Sequence, residues 1–344
     1  MLLDAIPIHK HNWRRISSYQ RINLKLSAGR TSIVPDIIAM FFLLGVIAGL
    51  AKSDLQVPKA AYDTLSLLLM LTIGLKGGLA LHGNISWQIV PELVGIMLLG
   101  VLIPLILYPI LQHLVKISAA NSASLAAHYG SVSAGTFGVA LAYAEYNGLE
   151  IAPQTTLYLV LLELPAIITA IWLYNRNSTA KVSSSHIWHE AFTSRSVVLL
   201  AGGVFIGAMY GSEQGAPVTD LFLNTFKAVL AIFMLEMGLT AAQTLWPMPW
   251  RHWRVIAFAI IAPPLLSFTG LAAAIALELP EGTAVILAAL TASASYIAAP
   301  AAIRTAIKEA DIGLAMFASL GVTFPFNVLV GLPLYHQLLN IVTN

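Results

Sequence analysis

Apolar stretches, each about as long as a membrane span, alternate with short polar ones along almost the whole chain. After a polar opening they fall at about 34–51, 60–81, 89–115, 120–145, 151–174, 196–211, 217–242, 253–278, 282–308 and 312–340. A transmembrane helix needs about 20 mainly apolar residues, so the pattern predicts ten spans. Two of the ten are interrupted near the middle. Span 4 carries His128-Tyr129-Gly130-Ser131-Val132-Ser133-Ala134-Gly135-Thr136, and span 9 carries Ser293-Ala294-Ser295-Tyr296-Ile297-Ala298-Ala299-Pro300. Glycine loosens a helix, proline removes a donor, and short hydroxyls compete for backbone partners. A helix broken in hydrocarbon frees N–H and C=O groups, which survive only inside protein or facing a wet cavity. Two such breaks at matching places in two halves point to a transporter's binding site.

The second half re-reads the first about 160 residues later. Met70-Leu71-x-x-Gly74-Leu75 returns as Met234-Leu235-x-x-Gly238-Leu239, Ser131-x-Ser133 as Ser293-x-Ser295, Leu162-x-x-Pro165 as Val322-x-x-Pro325, and Gly45 and Gly49 as Gly203 and Gly207. Each match is weak alone, but four in one order at nearly one offset indicate a repeat. Five spans per copy is odd, so the second copy enters the membrane from the opposite side, an inverted-topology repeat. The expected organisation is a polar basic arm (1–31), a first five-helix repeat (32–175), a linker loop (176–195) and a second, inverted five-helix repeat (196–344).

Composition agrees. Of 344 residues 58% are hydrophobic and only 10% charged, where a soluble domain carries about 25% charge. The expected fold class is therefore all-α polytopic membrane protein. The chain has no cysteine, which excludes disulfides, thiolate metal sites and cysteine nucleophiles. Charge matters here by side. Lys52, Lys59, Lys116, Arg176, Lys181, Arg195, Arg251, Arg254, Arg304 and Lys308 cluster in or beside the loops after odd-numbered spans, whereas Glu145, Glu150, Glu213, Glu278 and Glu281 lie on the other side, with Lys227 inside span 7 the nearest basic exception. The positive-inside rule then puts both termini outside and the 175–195 loop in the cytoplasm. The basic arm, with six Lys or Arg against Asp4 alone, argues the other way and reads either as a membrane-surface segment on anionic lipid or as an unstructured leader.

The candidate chemistry is ionic. A half-helix after a break presents free N–H groups and the positive end of its dipole, an anion site without a full charge. Gly130, Ser131, Ser133, Gly135, Thr136, Ser293 and Ser295 are the expected anion-binding positions. The preceding half-helix offers carbonyl oxygens, which suit a hard cation such as Na⁺. Close helix packing by small residues is the simpler account of either motif alone, and the matched pair argues against it. Glu163 sits mid-span, where an unpaired carboxylate costs a few kcal/mol; it reads as a cation ligand, a proton carrier or a protonated hydrogen-bond partner. Glu236 is a similar residue on span 7. Lys76 is expected to attract the anion, to neutralise Glu163 or Glu236, or simply to snorkel. His128 reads as a hydrogen-bonding core residue more than a relay. Trp172, Tyr174, Trp246, Trp250 and Trp253 read as interfacial belt. No phosphate loop, dinucleotide fingerprint, nucleophile elbow or nucleic-acid module is present, so the expectation is a secondary transporter, with no enzyme activity, no organic cofactor and no nucleic-acid partner.

After residue 32 the chain resembles the sodium-dependent bicarbonate transporter family described in cyanobacteria. The resemblance rests on Ile73-Gly74-Leu75-Lys76-Gly77-Gly78, Gly130–Thr136, Glu163-Leu164-Pro165-Ala166, Ser293–Pro300 and Gly321-Val322-Thr323-Phe324-Pro325. It implies a 5+5 inverted fold, Na⁺ symport of bicarbonate, a homotrimer in the plasma (inner) membrane, outside termini, and elevator-like movement of a core against a scaffold. Some members are regulated by a trimeric protein similar to the nitrogen-regulatory PII proteins, bound on the cytoplasmic side, although the 175–195 loop here is short. The resemblance carries Gly130, Ser133 and Thr136 onto the first broken helix and Ser293 and Ser295 onto the second. It implies a sodium site at Glu163, Ser133, Ser295, Tyr296 and Thr323. The chain departs from the family pattern at four places, one of them Ala299-Pro300-Ala301, where the cyanobacterial members have Gly-Pro-Pro. Tyr296 stands where the cyanobacterial members have Asp, Glu163 is a longer carboxylate than theirs, and Lys76 stands where theirs is neutral, which touches sodium stoichiometry and substrate.

The expected activity is sodium-driven symport of bicarbonate. Spans 1, 2, 6 and 7 would form much of the scaffold, and spans 4, 5, 9 and 10 the moving core. The alternatives are a sodium/proton antiporter titrating Glu163, a sodium symporter of another small carboxylate, and a membrane receptor that binds such an anion without transporting it.

Overall fold

A computed structural model of the protein describes residues 37–83, 86–177, 193–245 and 250–343. The basic arm 1–31 and most of the 176–195 linker lie outside the described residues. Among those residues all regular structure is helical. In chain order the elements are α1 (Ile37–Leu50), α2 (Lys59–Leu81), α3 (Val90–Ile110), α4 (Ala119–Gly130), α5 (Ala134–Tyr146), α6 (Leu157–Asn177), α7 (Arg195–Leu245), α8 (Trp253–Ala276), α9 (Glu281–Thr291) and α10 (Ala298–Ala306), with a final helical segment α11 (Ile312–Thr343) that contains two π-helical stretches.

Among the described residues, six helical segments are long and apolar enough to cross a membrane: Lys59–Leu81, Trp87–Val115, Pro153–Arg176, Arg195–Leu245, Trp250–Ala276 and Ile312–Thr343. The protein is a multi-pass membrane protein. The difference from ten expected spans has local causes. The described part of α1 has 14 residues. Expected spans 4 and 9 are each divided into two short helices, α4/α5 and α9/α10. Expected spans 6 and 7 run together as the 51-residue α7, bent at Gly211, whose φ of 65° and ψ of −175° no helix contains. That left-handed φ is cheap only for glycine.

The close packing of the long helices is reciprocal. A Cβ added to Gly45 of α1 would overlap the Leu235 carbonyl of the second limb of α7, and one on Gly238 would overlap the Phe42 carbonyl of α1. In the same way Gly74 and Gly78 of α2 face Leu200 and Val204 of the first limb of α7, and Gly203 and Gly207 face Leu71 and Leu75. Small residues spaced by four let backbones touch where no water is available to drive association. Thus α1 packs on the second limb of α7 as α2 packs on the first.

Behind this sheet of long helices, α4 and α6 pack on α3, and α9 packs on α8 and α5. Phe324 joins the two groups. Its ring centroid lies 5.5 Å from that of Phe42 and 5.3 Å from that of Tyr296, both edge-on, the geometry aromatic quadrupoles favour. Tyr174, expected in the interfacial belt, is instead buried and donates a 3.1 Å hydrogen bond to Glu309, whereas Trp172, Trp250 and Trp253 are exposed as expected.

Candidate functional site: two broken helices that meet

Both serine-bearing stretches are breaks. α4 stops at Gly130 and α5 starts at Ala134; α9 stops at Thr291 and α10 starts at Ala298. Each break is closed by its own serine. The Ser133 hydroxyl accepts from Thr136 N–H at 3.0 Å, the N-cap bond that satisfies the opening turn of α5, and the Ser295 hydroxyl, two residues before the first residue flanking α10, accepts from Ala299 N–H at 3.2 Å. The two breaks also bind each other. Ser133 N–H donates to the Ser293 hydroxyl at 3.0 Å, and Ser295 N–H donates to the His128 carbonyl at 2.7 Å. The Ser293 hydroxyl in turn donates to the Leu290 carbonyl at 2.7 Å. Backbone groups freed by the breaks are thereby paired inside protein, as hydrocarbon requires.

Beside the crossing is a cavity of about 10 Å³, lined by Ser133, Glu163, Ser196, Ser295, Tyr296 and neighbouring main chain. A space of that size is about one water or one bare ion. Glu163 is buried and its Oε1 has no hydrogen-bond partner within the protein. An isolated buried carboxylate is expensive, and a hard cation held by oxygen ligands is the partner that would offset it. These two bonds leave Ser133 and Ser295 each a lone pair, so both hydroxyls can still face such a cation. The Tyr296 hydroxyl lies against Gly135, at the place a Cβ on that residue would occupy.

Glu163, Tyr296, Ile297 and Ala298 also line a second, far larger cavity of about 860 Å³. It runs between the long-helix group, through Tyr62, Ser66 and Glu236, and the broken-helix group, to Lys59, Arg195 and Arg304. Arg195 pairs with Asp63 at 2.8 Å along this wall. The small cavity therefore sits at the inner end of a wide vestibule.

The structure gathers most of the residues singled out in the sequence. Gly130, Ser131, Ser133, Gly135, Thr136, Ser293 and Ser295 lie at the two breaks, and all are buried. Ser133, Ser295, Tyr296 and Glu163 share the small cavity. Thr323 stands apart from its lining. Its hydroxyl donates to the Ala259 carbonyl at 2.8 Å and shares a 2.6 Å hydrogen bond with the Tyr129 hydroxyl, so it supports the last turn of α4, just before the break. Lys76 is not at the crossing and pairs with neither Glu163 nor Glu236. Its ammonium forms an ion pair with Glu145, at the far end of α5. Glu236 accepts from the Thr240 hydroxyl at 3.2 Å and lines the vestibule. His128 is a core residue. Its ring Nδ1–H donates to the Ser124 carbonyl at 2.7 Å.

Sequence reasoning missed Asn327. Its side-chain amide donates to the Ala292 carbonyl at 2.9 Å, a carbonyl freed by the second break, while its own oxygen accepts from Tyr335 at 2.6 Å. An asparagine in the middle of an apolar span was the available signal, because polar side chains there bond across helices. Ser196, at the start of α7, was also missed; nothing in its local sequence marks it.

The description of the Na⁺-dependent bicarbonate transporter superfamily matches residues 37–340, nearly all of the chain beyond the arm. The chain belongs to this superfamily. Comparison with curated proteins gave no match. The matched range starts at α1 and includes both breaks, Glu163 and Asn327, so the whole constellation described above falls inside the superfamily's extent.

Proposed function

We propose that the protein is a sodium-driven bicarbonate symporter and that the crossing of the two breaks is its ion site. One observation carries the reading: Glu163, buried and with a carboxylate oxygen that has no hydrogen-bond partner, lines a one-ion cavity together with Ser133 and Ser295. Na⁺ is held there by Glu163, the two serine hydroxyls and adjacent main chain, with Tyr296 closing the cavity. Thr323 contributes through Tyr129. Bicarbonate is bound beside it by the amino-terminal turns of α5 and α10 and the hydroxyls of the breaks, where helix dipoles favour an anion. With the cation absent, the anion loses its electrostatic support. That loss couples the two fluxes.

The helix arrangement supports an elevator with ten spans in two inverted repeats. The reciprocal glycine contacts are those expected when spans 1 and 2 correspond to spans 6 and 7 by a two-fold axis in the membrane plane. Those spans form the scaffold. The broken spans, with α6 and α11, form the core that moves, joined by α3 and α8, and the vestibule follows the seam between the groups. Its mouth bears Lys59, Arg195 and Arg304, so by the positive-inside rule this state opens to the cytoplasm and the termini lie outside. Trimerisation would use the scaffold's outer face, which exposes Ile37, Phe205 and Leu221.

Vesicles containing the purified protein test the reading. An inward Na⁺ gradient is expected to drive accumulation of labelled bicarbonate, and replacement of Na⁺ by K⁺ to stop it. Sodium-dependent proton movement without bicarbonate accumulation would select antiport instead, and block of uptake by excess formate or acetate would select another small carboxylate.

A further inference from the structure

Away from the vestibule the charges do not balance. Lys76 of α2 lies seventeen residues beyond Lys59, about 25 Å along the helix. Its ammonium is ion-paired with the Glu145 carboxylate, and Lys227 of the second limb of α7 reaches the other oxygen of the same carboxylate at 3.8 Å. Lys76 also lies over the Phe226 ring, 5.5 Å from its centroid. Two ammonium groups on one carboxylate leave one positive charge over. Lys76 is about one-third exposed and Glu145 about one-quarter, at 33% and 27%, whereas Lys227 is 62% exposed, so the Lys76 side of the cluster is partly withdrawn from water, where surplus charge attracts an anion more strongly than on an open surface.

The three residues belong to different groups of helices. The lysines stand on long helices of the scaffold, whereas Glu145 is the penultimate residue of α5. The other end of α5 is Ala134, beside the crossing. A core that moves carries Glu145 with it and leaves the lysines behind. A glutamate carboxylate also matches bicarbonate in charge and in its planar pair of oxygens.

We propose that Lys76 and Lys227 form an anion-capture site for bicarbonate on the scaffold. In the state described here Glu145 fills it as a tethered stand-in; when the core moves away, the site opens to the free anion and passes it toward the amino terminus of α5. The inference rests on the bicarbonate symport proposed above, and it gives Lys76 a role remote from the crossing.

Three single variants separate this site from a simple strut. In vesicle uptake, Lys76→Gln and Lys227→Gln are expected to raise the bicarbonate concentration for half-maximal uptake by about threefold to fivefold, the range open to a half-exposed ion pair. Glu145→Gln, which removes the stand-in, is expected to lower it. A strut is broken equally from either side, so shifts of the same sign in all three variants overturn the proposal. A binding readout keeps the test independent of transport. Sodium bicarbonate, against sodium gluconate, should raise the melting temperature of detergent-purified Glu145→Gln more than that of the triple variant lacking both lysines and Glu145. Equal shifts overturn the capture site. Absence of sodium-driven uptake by the unaltered protein would count against symport alone, and the melting comparison would still decide the lysines.

Discussion

Glu163 and Gly135 show how little freedom the crossing allows. Gly135 touches Tyr296 so closely that a methyl group there would need the hydroxyl's position. Gly135→Ala is therefore expected to cut bicarbonate uptake severely with normal amounts of protein in the membrane, and Tyr296→Phe in the same chain to restore part of it. A double variant no better than the single would show that the tyrosine is not the obstacle. Ser133→Ala removes the acceptor for Thr136 N–H; loss of such a cap costs about 1 kcal/mol, seen as a lower melting temperature in detergent, and uptake should fall further because a cation ligand goes with it. At this scale the sequence was informative about residue type. A mid-span carboxylate and paired serines are costly in hydrocarbon, so they stood out. It was uninformative about partners. Nothing near Lys76 in the chain points to Glu145, 69 residues away, so the sequence leaves an anion, Glu163, Glu236 and the interface all open as its partner.

The elements that matter most are those that fail as continuous helices. The breaks after Gly130 and Thr291 were legible because glycine, proline and hydroxyls interrupt otherwise apolar runs. The bond from Ser295 N–H to the His128 carbonyl was not, because a crossing is a relation between distant segments. Asn327 follows the same logic. It bonds a carbonyl exposed by a break 35 residues earlier, and only the break's location gives it meaning. Asn327→Leu should leave the Ala292 carbonyl unpaired in a dry site. An orphaned buried acceptor costs about 1–3 kcal/mol, measurable as a fall in melting temperature accompanied by loss of uptake. The long helices rest on glycine contacts; the spacing of Gly45 and Gly49 marks a close-packing face, but nothing local names the helix it meets. Gly238→Val would drive a side chain into the α1 backbone at Phe42, and overpacking of this kind costs about 1–3 kcal/mol. The expected result is reduced thermal stability, with Gly202→Val, at a position open to space, as the neutral control.

For the whole molecule, two groups of helices meet along a vestibule of about 860 Å³ whose inner end is the small cavity at the crossing. The superfamily match over residues 37–340 agrees with the motifs that carried the resemblance in the sequence. The vestibule was not visible, because Tyr62, Ser66, Arg195 and Arg304 come from three helices far apart in sequence. An elevator requires this seam to shift. The chain's lack of cysteine makes the requirement testable with Ser66→Cys and Ala301→Cys, one on each wall. A short bifunctional thiol reagent bridging the pair should stop uptake; full transport by the bridged protein would exclude relative movement of the groups. The account as a whole depends on Glu163 holding the coupling ion at the crossing. Its most direct test is labelled bicarbonate uptake into vesicles under an inward Na⁺ gradient, by the unaltered protein and by Glu163→Gln at matched amounts. The account predicts sodium-dependent accumulation that Glu163→Gln abolishes; accumulation with the same sodium dependence in both would contradict it.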